Sequence, residues 1–233
     1  MNIVRLYKTS IRVFNDVILF LITYLPGPLG YKARYIYYKP RLKSLGKSVL
    51  IDTGVSFAGL GLISIGDNVH VDKNCLISTG LALQGRLYRK TISGSTVNEG
   101  EIIIGNNIHI CPNCILVGYG GLIVGNNSTI SAGSKLYSLT NISYNPNDRA
   151  EIISIMPYEQ APFLIGPIVL ECNVWLGLNC TVMPGVLIKS NSFAVTNSVI
   201  LKSFSSNSHI GGQPAVWIKN RFEKNENRSI FSV

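Results

Sequence analysis

The stretch LECNVWLGLNCTVMPGVLIKSNSFAVTNSVI, from Leu170 to Ile200, decides the fold of this chain. An aliphatic residue occupies every sixth position in it: Leu170, Leu176, Val182, Ile188, Ala194 and Ile200. A helix repeats about every 3.6 residues and a half-buried strand every second residue, so neither explains a period of six. Internal repetition at a fixed short period is typical of a solenoid, in which each repeat stacks on its neighbour.

The same six-residue period recurs earlier in the chain. It is carried by three further triplets: Ile65, Val71 and Ile77; Ile104, Ile110 and Leu116; and Val124, Ile130 and Leu136. Glycine, asparagine and aspartate fill fixed places between these residues, as turns require. The pattern predicts an all-β parallel β-helix of hexapeptide repeats, with three short strands in each triangular coil and the aliphatic residue of each hexad pointing inward.

The period is interrupted twice, and the interruptions divide the chain. We expect a β-helix over 48–204, with loops at 80–101 and 137–167 expelled from the stack, and a tail over 205–233. Insertions leave a solenoid intact, so binding and chemistry are expected to concentrate there. The residues before the β-helix, 1–47, are predicted to form a short, partly helical N-terminal section.

Charge is concentrated in this N-terminal section. The whole chain has a net charge of +9, and residues 1–47 contain nine of its 21 lysines and arginines. The apolar run from Val17 to Leu25 is far shorter than the roughly 20 residues of a spanning helix. Two alternatives remain: an amphipathic helix that packs on the β-helix, or one that lies at an anionic membrane surface. No recognition motif accompanies the charge, so a nucleic-acid partner is not expected.

The five cysteines point to a reducing compartment. Their number is odd and no export signal is visible, so we expect a cytoplasmic protein, with peripheral membrane contact if the N-terminal helix lies at the inner face of the membrane. Cys111 and Cys114 have the spacing of half a zinc site, but no second ligand pair follows. We therefore expect small buried side chains and no metal.

Three motifs carry a resemblance to a known family. They are NVWLG at 173–177, VMPGVLI at 182–188 and IGGQPAVWIKNR at 210–221. Together with the hexads they resemble the left-handed β-helix acyltransferases, and more closely the branch that acetylates sugars, antibiotics and surface polysaccharides. The resemblance implies a left-handed β-helix, a homotrimer, acetyl-CoA as donor, and direct transfer to an acceptor whose proton a loop histidine removes.

The resemblance also implies roles for individual residues. Trp175 matches an indole beside the cofactor's pantetheine and the acceptor, and Gly177 a position that lets the pantetheine approach the backbone. Asn113 matches an asparagine that binds the acceptor, and Tyr144 lies in the acceptor loop. The basic residues that match the family's coenzyme A phosphate contacts are Lys202, Lys219 and Arg221. An ordinary turn, surface or loop role explains each of these residues as well.

The expected catalytic histidine is missing. Its position is occupied by Asn141, sixteen residues after Gly125. An amide cannot accept a proton near neutral pH, and a general base typically contributes about 10²–10⁴-fold to the rate. Three explanations stay open: lost turnover with retained binding, a base supplied by another histidine, or a base supplied by a different loop group. The candidates are His70, His109 and His209, and Tyr144, Asp148 and Glu151.

The sequence favours an acetyl-CoA-dependent O-acetyltransferase that acts on a sugar hydroxyl of a bacterial surface polysaccharide or its precursor. Asn141 favours a competing hypothesis, a non-catalytic β-helix trimer that binds coenzyme A or a sugar. A third hypothesis is N-acetylation of an amino sugar, because both kinds of acceptor are used on this fold. Neither the sugar nor the acyl group follows from the sequence.

Overall fold

The structure, a computed structural model, describes residues 3–81, 86–142, 144–145, 148–152 and 162–223. Two helices come first, α1 (Ile3–Tyr24) and α2 (Gly27–Tyr38). The second helix has a proline in its first turn, where the missing N–H costs no hydrogen bond. None of the helices in the described residues is long and apolar enough to cross a membrane. A single 3₁₀ turn follows at Leu60–Leu62.

Short strands make up the rest of the described chain. In order they are β1 (Ser44–Leu45), β2 (Leu50–Ile51), β3 (Ser56–Ala58), β4 (Ile63–Ile65), β5 (Val69–Val71), β6 (Leu76–Ser78), β7 (Arg86–Arg89), β8 (Ile102–Ile104), β9 (Ile108–Ile110), β10 (Ile115–Val117), β11 (Leu122–Val124), β12 (Thr129–Ile130), β13 (Lys135–Tyr137), β14 (Leu139–Asn141), β15 (Tyr144–Asn145), β16 (Asp148–Ile152), β17 (Pro162–Ile165), β18 (Ile168–Leu170), β19 (Trp175–Leu176), β20 (Thr181–Val182), β21 (Val186–Ile188), β22 (Phe193–Ala194), β23 (Val199–Ile200), β24 (Ser208–Gly212) and β25 (Ala215–Asn220).

Three sheets form the sides of a parallel β-helix. The first contains β1, β4, β8, β11, β18 and β21; the second contains β2, β5, β9, β12, β19, β22, β24 and β25; the third contains β3, β6, β10, β13, β20 and β23. Every pairing within these sheets is parallel except that of β25, which folds back antiparallel on β24. One strand from each sheet completes a coil, as the hexad pattern predicts, so the β-helix prediction is confirmed.

The core is a column of the residues that lead the hexads. Leu170, Leu176, Val182, Ile188, Ala194 and Ile200 are each no more than 1% exposed. The pairing register places Ile110, Ile130 and Leu176 at equivalent positions of successive strands in the second sheet. Each aliphatic side chain therefore packs on the equivalent residue of the next coil, which buries apolar surface continuously along the axis.

Asparagine turns the corners of the coils. All but one of the described non-glycine residues with positive φ are asparagines: Asn68, Asn74, Asn107, Asn113, Asn127, Asn173, Asn179, Asn191, Asn197 and Asn207. Asparagine tolerates the left-handed region better than most residues. Its amide also bonds the equivalent corner of the next coil, as in the 3.0 Å contact from Asn68 Nδ2 to Asn107 Oδ1. The corners thus carry amide ladders parallel to the core.

The β-helix extends beyond its predicted ends. Strand β1 begins at Ser44 and pairs with β4, so the first coil starts before residue 48. At the other end β24 continues the second sheet and β25 closes it, so much of the predicted tail is part of the sheet. Strand β24 pairs with β22, and the antiparallel β25 is the last strand of the second sheet.

The two interruptions of the repeat meet outside the coils. Strand β17 pairs antiparallel with β14 and parallel with β7, which joins a strand of the 80–101 interruption to two strands of the 137–167 interruption. A further pair, β15 and β16, forms a small antiparallel ribbon. These segments therefore form a small sheet of their own rather than two separate loops.

Arg34 is one of the nine basic residues of 1–47, but it does not contribute to a basic surface. Its side chain is fully buried. Nε donates to the Ile51 carbonyl at 2.5 Å, and Nη1 donates to the carbonyls of Ile22 and Leu25 at 2.9 and 2.8 Å. The guanidinium thus satisfies carbonyls at the end of α1 and links both helices to the second sheet. It is unavailable to a membrane surface.

Candidate active site

The outer face of the second sheet carries five of the residues singled out from the sequence: His70, His109, Trp175, His209 and Lys219. The register aligns outward-facing residues on successive strands, in the order Leu50, His70, His109, Thr129, Trp175, Phe193, His209 and Lys219. Because neighbouring strands lie about 4.8 Å apart, each side chain is in reach of the next. We call this column of residues the outer ladder.

Trp175 is held rigidly although it is 47% exposed. Its indole N–H donates to Ser131 Oγ at 2.9 Å. The ring packs edge-on against Phe193, with the centroids 5.2 Å apart. An exposed aromatic surface fixed from two sides can bind an apolar or sugar face with little loss of side-chain entropy. The sequence did not identify Ser131 or Phe193 as its supports, because their contacts cross between coils.

Gly177 has a structural explanation. It is buried, and a Cβ at this position would lie 2.7 Å from the Ala194 carbonyl oxygen and 2.7 Å from the Thr196 nitrogen. The next coil therefore occupies the space that a side chain would need. Contact between coils requires the glycine whether or not a pantetheine arm approaches it.

The predicted phosphate ligands come from two different sheets of the β-helix. Lys219 pairs with His209 at the end of the second sheet, and Arg221 follows on the same strand pair. Arg221 Nη1 donates to the carbonyls of Asn173 and Ser192 at 3.1 and 3.3 Å, which leaves other donors of the guanidinium for a ligand. Lys202, by contrast, follows β23 in the third sheet and lies over the Phe204 ring, 5.9 Å from its centroid.

His209 lies at the end of the outer ladder near the positive charges of Lys219 and Arg221. Burial lowers the pKa of its imidazole, and the charges of Lys219 and Arg221 lower the pKa further. The ring also packs against Phe193, with the centroids 5.0 Å apart. The environment of His209 therefore disfavours a cation, whereas an anion bound beside Lys219 and Arg221 would be stabilised.

Asn113 is a corner residue. Its φ of 61° places it among the left-handed asparagines, and its N–H donates to the Lys73 carbonyl at 3.0 Å. The side chain is exposed. A turn role thus accounts for the backbone of Asn113, and the exposed amide remains available to an acceptor.

Asn141 lies at the exposed end of β14, opposite Phe163 of β17. The position expected to hold the base is therefore on the small sheet formed by the two interruptions, not on the outer ladder. The side chains of Tyr144, Asp148 and Glu151 lie outside the described part of the chain. Within that part, the amide of Asn141 is a hydrogen-bonding group without acid–base capacity near neutral pH.

A small cavity opens beside this sheet. Its volume is about 210 Å³, and its lining includes Arg89, Lys90 and Glu99 from one interruption and Gly120 of the GYGG bulge. Arg89 Nε donates to Glu99 Oε1 at 2.8 Å across it. The cavity is smaller than the 300–1,000 Å³ typical of whole-ligand pockets, and its mixed lining of charged and apolar side chains has room for one sugar-sized group.

The cysteines do not form a pair. All five are free thiols. Cys114 points into the core, whereas Cys111 lies at the corner and is only partly buried. Burial, followed by the nearby Asp72 carboxylate, raises the pKa of the Cys111 thiol. The CPNC motif is therefore the end of a strand and a corner of the β-helix.

Two of the three candidate histidines share a carboxylate. His70 and His109 lie on adjacent coils, and Asp72 contacts both. Asp72 is not a candidate on sequence alone, because the insertion between the coils separates the two histidines by 39 residues and hides the pairing register.

Comparison with known proteins identifies relatives in sequence and in fold. No protein-family model matches the chain. A probable macrolide acetyltransferase from Lysinibacillus sphaericus is 34% identical over 115 residues, which are 43% of this chain and 61% of that protein, or less than two thirds of its length. A dTDP-4-amino-4,6-dideoxy-D-glucose acyltransferase from Escherichia coli is 28% identical over 182 residues, which are 78% of this chain and 84% of that protein.

Among solved structures, AntD resembles the chain. AntD is an N-acyltransferase from Bacillus cereus, solved in complex with dTDP and 3-hydroxybutyryl-CoA. It is 22% identical, the match covers 80% of this chain and 87% of AntD, and the TM-score is 0.62. At this identity the likeness shows the fold, which is an all-β left-handed β-helix: the hexads predict the β-helix and the family resemblance implies its left hand.

Proposed function

We propose that this chain, a member of the left-handed β-helix family of hexapeptide-repeat acyltransferases, transfers an acyl group from an acyl-CoA thioester to a sugar. Acetyl-CoA is the expected donor. We further propose that the acceptor atom is an amine of an amino sugar, rather than the hydroxyl that the sequence analysis favoured. Both acceptors give an acyl–sugar product and free coenzyme A.

We choose an amine over a hydroxyl as the acceptor because position 141 holds an amide, Asn141. A hydroxyl is a weak nucleophile and needs a base to remove its proton as it attacks the thioester. An unprotonated amine attacks with its own lone pair and loses its proton only after the C–N bond has formed. A site with Asn141 in place of the histidine is therefore suited to an amine. The Escherichia coli relative that matches 78% of this chain is named for a dTDP-4-amino sugar.

Trp175 and Lys219 of the outer ladder, together with Arg221, supply the proposed donor site. Trp175 presents a fixed aromatic face, which we assign to the pantetheine arm or the acyl group. Lys219 and Arg221 provide positive charge at the same end of the second sheet, and we assign them to the phosphates of coenzyme A. Lys202 remains a third candidate that approaches from the third sheet.

The acceptor is proposed to lie between the exposed amides of Asn113 and Asn141, with Tyr144 nearby in sequence. Amides can orient sugar hydroxyls by donating and accepting hydrogen bonds without removing their protons. The GYGG bulge and the cavity beside Arg89 and Lys90 lie next to the small sheet that bears Asn141.

Paired acceptors test the proposal. We would measure coenzyme A release from acetyl-CoA with dTDP-4-amino-4,6-dideoxyglucose and with the same nucleotide sugar bearing a 4-hydroxyl. We expect the unaltered chain to turn over the amine at least about 100-fold faster than the hydroxyl, in line with the 10²–10⁴-fold worth of a base. Asn141→His should raise the hydroxyl rate by a similar factor and change the amine rate less than tenfold. Asn145→His, a substitution in β15, the next strand along the chain, is the matched control.

Two outcomes would contradict this assignment. Efficient turnover of the hydroxyl sugar by the unaltered chain would show that another residue acts as the base and that the chain is an O-acetyltransferase. Saturable binding of acetyl-CoA without turnover of either acceptor would favour the non-catalytic alternative.

A further inference from the structure

The strongest unassigned cluster in the described residues is the pair of stacked histidines on the outer ladder. The register sets His70 opposite His109 on the next coil, and their rings stack with centroids 5.3 Å apart and planes inclined by 12°. Asp72, two residues after His70, reaches both rings from the corner. Two rigid coils thus fix three potential ligands without any loop.

The carboxylate of Asp72 contacts each imidazole through a different oxygen. His109 Nε2 lies 2.8 Å from Oδ2, and His70 Nε2 lies 3.0 Å from Oδ1. All three ligand atoms lie within 4.8 Å of one another. The side chains of His70 and His109 are 36% and 47% exposed, so the cluster is open to solvent on one side.

His70 Nε2 marks the unsatisfied position. The atom is shielded from solvent and has no hydrogen-bond partner among the described residues, although Asp72 Oδ1 is at contact distance. His70 Nε2 and Asp72 Oδ1 are close enough for a hydrogen bond, but the carboxylate oxygen does not lie in the direction that a hydrogen bond to the ring nitrogen requires. A buried ring nitrogen without a partner costs free energy, and a cation placed between the nitrogen and the carboxylate would remove that cost.

We propose that His70, Asp72 and His109 bind a divalent cation of the zinc class, with water in the remaining position. Two imidazole nitrogens and one carboxylate oxygen are a common ligand set for zinc and related transition ions. Bonds of about 2.0–2.1 Å in tetrahedral geometry separate ligand atoms by about 3.3 Å. The contacts of 2.8 and 3.0 Å therefore need to open by only a few tenths of an ångström.

The surroundings fit such a site. The ring of Tyr31 meets His70 edge-on, with centroids 6.5 Å apart, and shields it on the side of α2. Cys111 Sγ lies 3.8 Å from Nδ1 of His109. The site is separate from the proposed acyl-transfer residues, and its existence does not depend on the proposed function. The cation would bridge two adjacent coils, because His70 and His109 lie on neighbouring strands of the second sheet.

Metal binding without any activity assay tests the site. Protein free of a histidine tag would be stripped with a chelator and titrated with Zn²⁺ by calorimetry and with Co²⁺ by visible absorption. We expect one ion per chain, visible bands typical of low-coordinate Co²⁺, and a higher unfolding temperature that a chelator reverses. His109→Gln, His70→Gln and Asp72→Asn should each weaken binding at least tenfold.

His209→Gln is the matched control, because His209 occupies the same outer ladder without a carboxylate partner among the described contacts. It should bind Co²⁺ as the unaltered chain does. Three substitutions at separate ligands guard against the failure of one variant to fold, and circular dichroism of the metal-free proteins would check each. Failure of the unaltered chain to bind either ion, or equal binding by the ligand variants and His209→Gln, would overturn the proposal.

Discussion

At the scale of single residues, the chain uses the same residue types for structure and for its candidate site. Asn113 is both a corner residue and an exposed amide, and Gly177 is explained by coil packing alone. Asn141 differs, because no corner or core requirement places it at the end of β14. Among these three positions, Asn141 is therefore the residue whose identity bears most directly on the chemistry.

His209 provides a prediction about pH. Its pKa is lowered in the folded state, so the unfolded chain binds the proton first as the pH falls. The stability associated with neutral His209 is fully present above the unfolded pKa of about 6.5 and is lost as the pH falls through the lowered folded value. In urea unfolding of chelator-treated protein, the free energy of unfolding should fall less steeply between about pH 7 and pH 5 in His209→Gln than in the unaltered chain.

Charge variants check the cause of this pH dependence. Lys219→Met removes one of the charges that lower the His209 pKa, so it should also flatten the decline, by less than His209→Gln does. Lys202→Met is the control, because Lys202 does not contribute to that shift. Identical slopes in the unaltered chain and His209→Gln would contradict the assignment.

At the scale of elements, α1 exposes an apolar face. The residues that form it are Val13, Val17, Phe20, Leu21 and Tyr24. Their spacing of three and four places them on one side of the helix. The opposite side includes Leu19, which packs against the core. The helix therefore packs on the β-helix, as the first alternative drawn from the sequence states, and it leaves an apolar face uncovered. Contact of that face with a membrane stays a prediction.

We predict that this face binds an anionic membrane surface. The protein should sediment with vesicles containing phosphatidylglycerol, and added salt should weaken the association, because charge screening acts over about 10 Å at 0.1 M ionic strength. Phe20→Glu should reduce the bound fraction several-fold, because it places a charge in the apolar face. Leu178→Glu, at an exposed apolar position on the β-helix, is the matched control.

Indifference to vesicles, or equal binding by Phe20→Glu and Leu178→Glu, would count against membrane contact. In that case the apolar face would be assigned to contact with another protein chain, and the expectation of a peripheral location at the inner face of the membrane would be withdrawn.

At the scale of the whole molecule, the β-helix exposes large apolar side chains as well as burying a column of them. Leu50, Leu76, Leu178, Leu201 and Trp217 are each more than a third exposed. Leu50 and Trp217 belong to the second sheet and Leu76 to the third, and singly exposed apolar side chains are ordinary on protein surfaces. The homotrimer that the family resemblance implies therefore remains a prediction.

Light scattering coupled to size exclusion checks that prediction. We expect a mass equal to three copies of the 25.5 kDa chain, unchanged on dilution through the micromolar range. A mass equal to one copy would contradict it and would require each chain to hold a complete site by itself.

The amino-acid sequence by itself determined the repeat. A six-residue period of aliphatic residues with asparagine at the corners is a local pattern, and the structure buries every lead residue from Leu170 to Ile200 as that pattern requires. The sequence also identified Asn141 as the departure from the expected catalytic residue. The β-helix prediction succeeded because each hexad is only a few residues long and is read directly along the chain, whereas the role of Asn141 stays a prediction.

Only the tertiary structure decided which residues meet across coils. His70, Asp72 and His109 come together because parallel pairing aligns strands that a 39-residue separation hides in the sequence. Arg34 is buried because carbonyls from α1 and β2 converge on it, which a count of charges cannot reveal. Side-chain contacts between coils depend on the pairing register of the strands. Because the insertions have irregular lengths, that register cannot be read from the sequence.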